Sequence, residues 1–194
     1  RQAIFFDGYQ LQFYPVDNEP LISMAHERSQ NLLVATSNGL FRYIDSQFVQ
    51  ILATRLSSQN DFVIDKNDYI WIGSQHGLLK ITPWHVRCFN PDGIFELAPD
   101  GRITNKVATY TDIGNEIKNI SEINFPVYKI HIDDGDVFWV ACNYKDFEIA
   151  EIRNLQNVFT KSDWNYHHVD ILSGSDVSGI CRKENDLFVS TSST

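Results

Sequence analysis

One segment of the chain recurs at a fixed spacing, and this repeat constrains the fold more than any other feature of the sequence. Residues 31–40 read NLLVATSNGL and residues 69–78 read YIWIGSQHGL, so the two copies align without a gap, 38 positions apart. An apolar run and a polar turn precede each copy, and another strand-like run follows it. A period of this length is typical of one supersecondary unit in a repeat protein.

Two weaker copies extend the pattern. One is VYKIHI, a turn at 133–136 and VFWVAC, and the other is VSGIC, a turn at 183–185 and LFVST. Short runs of β-branched and aromatic residues bounded by Asn, Asp, Gly and Ser predict antiparallel hairpins. Residues 112–123 form the one weak helix candidate.

A single antiparallel unit cannot bury both of its faces, so successive units must cover one another. Radial stacking gives a β-propeller, and we predict an all-β fold with about four to five four-stranded blades of a larger ring. Trp71 and Trp139 are expected to wedge between neighbouring blades. The chain ends read as strand interiors, which predicts a fragment. Blade-like units are placed near 1–20 (partial), 21–58, 60–83, 84–125, 127–172 and 177–194 (truncated).

The segment 84–125 breaks the spacing, because Trp71 and Trp139 lie about 30 residues further apart than one period. Residues 93–103 within it have the pattern of a hairpin. The segment is therefore either a degenerate blade or an insertion on one face.

Charge and hydropathy exclude two classes of partner. The 25 acidic residues outnumber the 16 basic ones and give a formal net charge of −9, which disfavours nucleic acid and anionic lipid. No apolar run reaches the ~20 residues of a membrane helix, so no direct membrane insertion is expected of this segment.

The repeat resembles a known family. IWIGSQHGL at 70–78 and LVATSNGLFRY at 33–43 are similar to the two-component regulator propeller repeat, in which a turn precedes W-x-G-T and a G-L tail. Leu33 and Phe188 depart from this pattern at the Trp position, and residues 143–146 replace the Gly turn. The resemblance implies a periplasmic sensor region of a bacterial membrane-associated regulator. It also implies a seven-bladed ring and, as partners, the remaining blades and downstream domains.

Motifs for chemistry are missing from the sequence. It has no phosphate-binding loop, dinucleotide fingerprint or zinc-protease helix. The DDGD turn at 133–136 lacks the alternating ligands and distal Glu of a calcium loop. His167 and His168 are adjacent on a predicted strand and point to opposite faces, so they cannot chelate one ion. We expect no catalytic residue, no cofactor and no metal.

A binding surface is expected where the turns between second and third strands converge on one face. The candidate ligand contacts in these turns are Asn38, His76, Tyr144 and Lys145. The sequence thus favours a non-catalytic propeller that senses or binds a small molecule or oligosaccharide. A protein-interaction scaffold, with a homodimer left open, and a carbohydrate-active glycosidase or lyase are the alternatives.

Overall fold

The computed structural model describes residues 2–6, 11–16, 19–27, 31–56, 61–144, 147–153, 164–169 and 176–192. The chain divides into two compact units, Arg1–Ser58 and Gln59–Thr194. Every named strand pairs antiparallel with a neighbour in sequence. The prediction of an all-β chain built around four-stranded antiparallel sheets is confirmed.

The first unit contains a hairpin and a four-stranded sheet. The hairpin pairs β1 (Gln2–Phe6) with β2 (Leu11–Pro15). The sheet follows chain order, with β3 (Leu21–His26), β4 (Leu32–Thr36), β5 (Gly39–Ile44) and β6 (Gln47–Leu52). The inner strand β4 is buried from Leu33 to Thr36. Burial on both faces explains why its sequence is continuously apolar and does not alternate.

The second unit begins with a six-stranded sheet and continues with sheets of four and two strands. The first of these comprises β7 (Phe62–Ile64), β8 (Ile70–Ser74), β9 (Gly77–Ile81), β10 (Val86–Asn90), β11 (Gly93–Leu97) and β12 (Ile103–Thr109). The second comprises β13 (Val127–Ile132), β14 (Phe138–Tyr144), β15 (Phe147–Ile152) and β16 (Trp164–His167). The third is the hairpin of β17 (Asp176–Lys183) and β18 (Asp186–Ser192).

The six-stranded sheet continues past residue 83, where the repeat predicted a boundary. Strand β10 pairs with β9 as the fourth strand, and β11 and β12 then extend the same edge. The hairpin that the sequence indicated is present, with Leu97 opposite Ile103. Residues 86–109 thus add to an existing sheet and do not form one of their own. A hairpin pattern specifies local pairing but carries no information on which sheet edge the hairpin joins.

A short helical segment follows β12, in the region of the weak helix candidate. Helix α1 (Asp112–Glu116) is capped by Thr111, whose hydroxyl accepts from the Gly114 amide at 3.0 Å. A 3₁₀ turn (Ile120–Glu122) begins with a capping box between Asn119 and Glu122. These caps satisfy amide groups that the first turn of a helix leaves unpaired.

Consecutive sheets of the second unit pack against one another through aromatic side chains. Trp71 on β8 is fully buried, and its ring centroid lies 4.5 Å from that of Phe138 on β14. Trp139 on β14 lies 4.9 Å from the guanidinium of Arg182 on β17. Both tryptophans therefore lie between neighbouring sheets. Phe188, in the fourth copy of the repeat, is 54% exposed.

Candidate functional site

A buried carboxylate ends the first strand of the second repeat copy and organises the turn before Trp71. The Oδ1 atom of Asp65 accepts from the amides of Asn67 at 2.8 Å and Tyr69 at 3.1 Å. Its Oδ2 atom accepts from the indole Nε1 of Trp71 at 2.9 Å. One side chain thus holds both the turn and the tryptophan rotamer.

We call this arrangement of a buried acidic residue and the turn that follows it a corner. The third copy repeats the corner with one addition. Asp133 accepts from the amides of Gly135 and Val137 at 2.9 and 3.0 Å, and from Trp139 Nε1 at 3.1 Å. Arg182 Nη1 also donates to Asp133 Oδ2, at 3.0 Å. Burial alone would raise the pKa of Asp133, but these hydrogen bonds together hold it below its ordinary value.

The first copy builds the corner from an ion pair. Leu33 takes the Trp position and offers no indole donor, and Glu27 takes the Asp position. The Arg42 guanidinium donates to Glu27 Oε1 from Nε at 3.1 Å and from Nη2 at 2.5 Å. The Glu27 side chain is only 5% exposed, so the guanidinium neutralises a buried charge.

Lys80 occupies the position equivalent to Arg42, 38 residues later, but its surroundings differ. Its ammonium lies 4.3 Å from the ring centroid of Tyr69 and 4.9 Å from that of Trp71. Burial lowers the pKa of Lys80 from its ordinary value, more than the nearby Asp65 raises it. The two aromatic faces and the nearby Asp65 carboxylate favour its charged form.

The candidate contacts from the sequence lie on different turns. Asn38 is exposed in the β4–β5 turn, beside a polar groove of about 500 Å³ lined also by Glu19, Ser37, Thr54 and Arg55. Its backbone is fixed, because the amide donates to Thr36 Oγ1 at 3.2 Å and the carbonyl accepts from Gln50 at 3.0 Å.

His76, in the β8–β9 turn, is half-buried, with its Nδ1 2.7 Å from the Ile123 carbonyl oxygen. A carbonyl only accepts, so Nδ1 carries a proton and donates to it. Tyr144 ends strand β14, but its side chain lies outside the described residues, as does the whole of Lys145.

A second groove lies beside the β9–β10 turn, at the other end of β9 from the β8–β9 turn that carries His76. Trp84 is 87% exposed there. Thr82 holds the turn, because its hydroxyl accepts from the amides of Trp84 at 3.3 Å and His85 at 3.1 Å, and its amide donates to the His85 carbonyl at 3.0 Å. Beside Trp84 the groove encloses about 380 Å³, and its other lining residues are Asn67, Tyr69, Lys80, Thr82, His85 and Arg87.

Two side chains of this groove, Arg87 and His85, have defined charge states. Arg87 donates to Glu96 Oε1 from Nε at 3.0 Å and from Nη2 at 2.7 Å, and these bonds hold the pKa of Glu96 below its ordinary value. Burial, with the nearby Arg87, lowers the pKa of His85. His85 is therefore neutral at neutral pH and offers one donor and one acceptor.

Sequence reasoning missed the Trp84 groove, because it placed binding in the turns between second and third strands. A signal was available. The first copy closes this hairpin with two residues, Asp45 and Ser46, both at positive φ, whereas the second copy uses the longer turn 82–85. A turn that is longer than its repeat equivalent and carries Trp is a sign of a binding site.

The histidine pair and the two buried cysteines, Cys88 and Cys142, have contacts that fit packing and pairing. The His167 ring stacks on Trp139 with centroids 6.0 Å apart, and His168 Nδ1 lies 3.2 Å from Glu148. Burial raises the pKa of Cys88 and of Cys142 to about 12, so both remain neutral thiols. Within the described ranges, no three His, Cys, Asp or Glu side chains converge as metal ligands. Across those same ranges, no helix has the length and hydropathy needed to cross a membrane.

Comparison with known proteins identifies similar folds but no sequence family. Neither a family model nor a curated protein matches the sequence. The extracellular domain of BT4673 from B. thetaiotaomicron, a protein assigned to the hybrid two-component systems, matches 95% of this chain with a TM-score of 0.58 and 15% identity. PorZ, a surface component of the type-IX secretion system of Porphyromonas gingivalis, matches 96% with a TM-score of 0.51 and 17% identity. The chain spans 22% and 28% of these two structures, and at such identities the similarity concerns the fold.

Proposed function

We propose that this chain is a non-catalytic, ligand-binding part of a sensor propeller in a bacterial membrane-associated signalling regulator. The sheets are its blades, and the remaining blades and downstream domains of the regulator are its partners. The repeat resembles that of two-component regulators, and a hybrid two-component system has an extracellular domain of similar fold. We place the segment in the periplasm on the same grounds.

The observation that carries ligand binding is the exposure of Trp84 on an ordered turn. An indole that is 87% exposed forgoes the stabilisation that burial of its apolar surface provides, about 25 cal/mol per Å². The hydrogen bonds of Thr82 fix the turn before any ligand arrives, so little conformational entropy is lost on binding. A flat aromatic face beside polar groups suits the apolar face of a sugar ring or of an aromatic small molecule.

The groove supports binding without catalysis. Its lining contains Lys80, His85 and Arg87 but no carboxylate among the described residues. Glycoside hydrolysis generally requires two carboxylates that flank the scissile bond. We therefore propose that the chain binds its ligand without altering it chemically, and that binding is communicated to the downstream domains of the regulator.

The test is a titration of the full chain with a panel of oligosaccharides and small aromatic compounds, monitored by calorimetry and thermal shift. A ligand should raise Tm in a concentration-dependent manner, and Trp84→Ala should abolish the shift. Ile113→Ala, which truncates another exposed apolar side chain of the same unit, is the control and should leave the shift unchanged. Product formation from a bound oligosaccharide would contradict the proposal, as would a shift that Trp84→Ala leaves intact.

Asn38, His76, Tyr144 and Lys145 remain proposed ligand contacts at the β4–β5, β8–β9 and β14–β15 turns. Asn38 supports this assignment best, because its backbone is hydrogen-bonded while its side chain is exposed beside a polar groove. If these turns contribute, Asn38→Ala should lower the affinity of a ligand found in the same titration. An unchanged affinity would remove Asn38 from the proposal.

A further inference from the structure

The basic side chains at the three corners of the repeat differ in whether they pair with a carboxylate. Arg42 is neutralised by the buried Glu27, and Arg182 donates to Asp133. At the second corner, both oxygens of Asp65 are already occupied by the turn amides and the Trp71 indole. Lys80 makes no hydrogen bond or ion pair with the described residues, although its half-buried ammonium has three N–H donors.

A half-buried ammonium without an acceptor is unfavourable, since the lost hydration is only partly replaced by the faces of Tyr69 and Trp71. An acceptor supplied by a ligand would correct this deficit. Arg87 lines the same groove as Lys80. Its Nε and Nη2 donate to Glu96, and its Nη1 has no partner among the described residues.

The groove is also unusual in its charge. The chain as a whole has nine more acidic than basic residues, yet the described residues that line this groove include two cations and no carboxylate. Glu96 lies behind Arg87 and offsets part of its charge. The other cation, Lys80, has the attraction of the nearby Asp65 but no hydrogen bond or ion pair with the described residues.

We propose that the Trp84 groove binds a ligand that carries a carboxylate on a ring with an apolar face. The ring stacks on the Trp84 indole, and the carboxylate accepts from Lys80, with Arg87 Nη1 and the neutral His85 as further polar contacts. This inference rests on the proposed ligand-binding function and adds the chemical class of the ligand. A sugar acid and an aromatic acid share this chemistry.

The experiment measures the affinity of the full chain for three probes by calorimetry: trigalacturonic acid, its fully methyl-esterified form and 4-hydroxybenzoate. The ester keeps the ring faces of the sugar acid but removes its charge. We expect at least one of the two acids to bind, and trigalacturonic acid, if it is the one, to bind about tenfold or more tightly than its ester. Binding of the acid should weaken as salt is raised.

Lys80→Met identifies the group responsible, because Met retains an apolar stem over the two rings. It should abolish the preference for the acid, whereas Trp84→Ala should abolish binding of acid and ester alike. Lys118→Met is the matched control, since it removes the same charge from an exposed site elsewhere in this unit and should leave the preference unchanged.

Equal affinity for acid and ester would overturn the inference while the proposed function stands, because binding would still require Trp84. A preference that persists in Lys80→Met, or binding of none of the three probes, would also overturn it. The broader panel of the preceding titration decides the proposed function separately.

Discussion

The sheet of β3–β6 and the first four strands of the sheet of β7–β12 share their backbone turns but differ in the side chains at equivalent positions. Their turns match. Glu27 and Asp65 each donate a backbone N–H to the carbonyl four residues later, at 3.0 Å in both cases. Gly39 and Gly77 share a φ of 136° at the second hairpin.

The corner side chains do not match, although they occupy equivalent positions. The first sheet closes its corner with the Glu27–Arg42 ion pair beside Leu33, and the second closes it with the Asp65–Trp71 hydrogen bond. Each arrangement satisfies the buried carboxylate, so each is compatible with the fold. Only the first also satisfies the cation. The two corners thus keep the same backbone arrangement, but only in the second is the basic side chain without an acceptor among the described residues.

The largest effect is expected from making the second sheet like the first at its central strand. Trp71→Leu removes ring contacts with Phe138 and leaves the buried Asp65 Oδ2 without its indole donor. We expect a loss of about 3 kcal/mol in the free energy of unfolding, measured by urea denaturation with circular dichroism. Trp84→Leu makes the same change at an exposed site and should cost less than about 0.5 kcal/mol. A similar cost at both positions would contradict the role of Trp71 between the sheets.

The shared glycines should be the next most sensitive positions, and equally so in both sheets. A Cβ atom at Gly39 would lie 1.9 Å from the Leu52 carbonyl oxygen, and one at Gly77 would lie 2.5 Å from that of Phe89. Gly39→Ala and Gly77→Ala should each cost about 2 kcal/mol or more, because the positive φ adds strain to the clash.

Gly135→Ala is the control for both glycines, since its nearest neighbour would be 3.3 Å away and its φ is not positive. It should cost less than about 1 kcal/mol in the same urea experiment. Tolerance of alanine at Gly39 or Gly77 would mean that the two hairpins do not share this close approach.

The cations should give results that differ in kind. Arg42→Met leaves the buried Glu27 without its guanidinium and should cost about 2 kcal/mol. Lys80→Met removes an ammonium that has no acceptor among the described residues and should change stability by less than about 0.5 kcal/mol. Thermal and urea unfolding of the two variants test this. Equal losses would show that Lys80 has a stabilising partner and would weaken the case for a ligand there.

The hairpins of this fold were readable from the sequence because they are local. The turns at 66–68 and 133–136 were predicted from the repeat, and each contains a residue with positive φ, Asp68 and Asp136. The attachment of β11 and β12 to the edge of β10 was not, since pairing on the far edge of a hairpin leaves no local pattern. The sequence pattern thus predicted an all-β architecture, but it did not indicate that the sheet of β7–β12 has six strands.

The groove was partly predictable. Trp84 stands in a turn that is longer than its repeat equivalent, which a closer comparison of 45–46 with 82–85 would have singled out. The state of Lys80 was not predictable, because Arg42 and Lys80 are both basic and look interchangeable in the alignment. Their difference lies in whether the basic group reaches the nearby carboxylate, as Arg42 reaches Glu27 and Lys80 does not reach Asp65, and this depends on atomic distances.

The corner of the third copy combines both solutions, and the pH dependence of stability measures their joint effect. Asp133 accepts from the Trp139 indole, as Asp65 does from Trp71, and from a guanidinium, as Glu27 does. Its folded-state pKa is lowered, so its contribution to stability is complete above the unfolded value of about 4 and is lost as pH falls below it. Asp133→Asn should therefore flatten the acid limb of Tm against pH, by an equivalent of less than about 1 kcal/mol.

The exposed Asp134 has no hydrogen bond to the described residues, so Asp134→Asn removes the same charge as a control and should retain the slope. If Asp133→Asn keeps the full acid slope, the hydrogen bonds of Asp133 do not lower its folded-state pKa, and this corner contributes nothing to the loss of stability in acid.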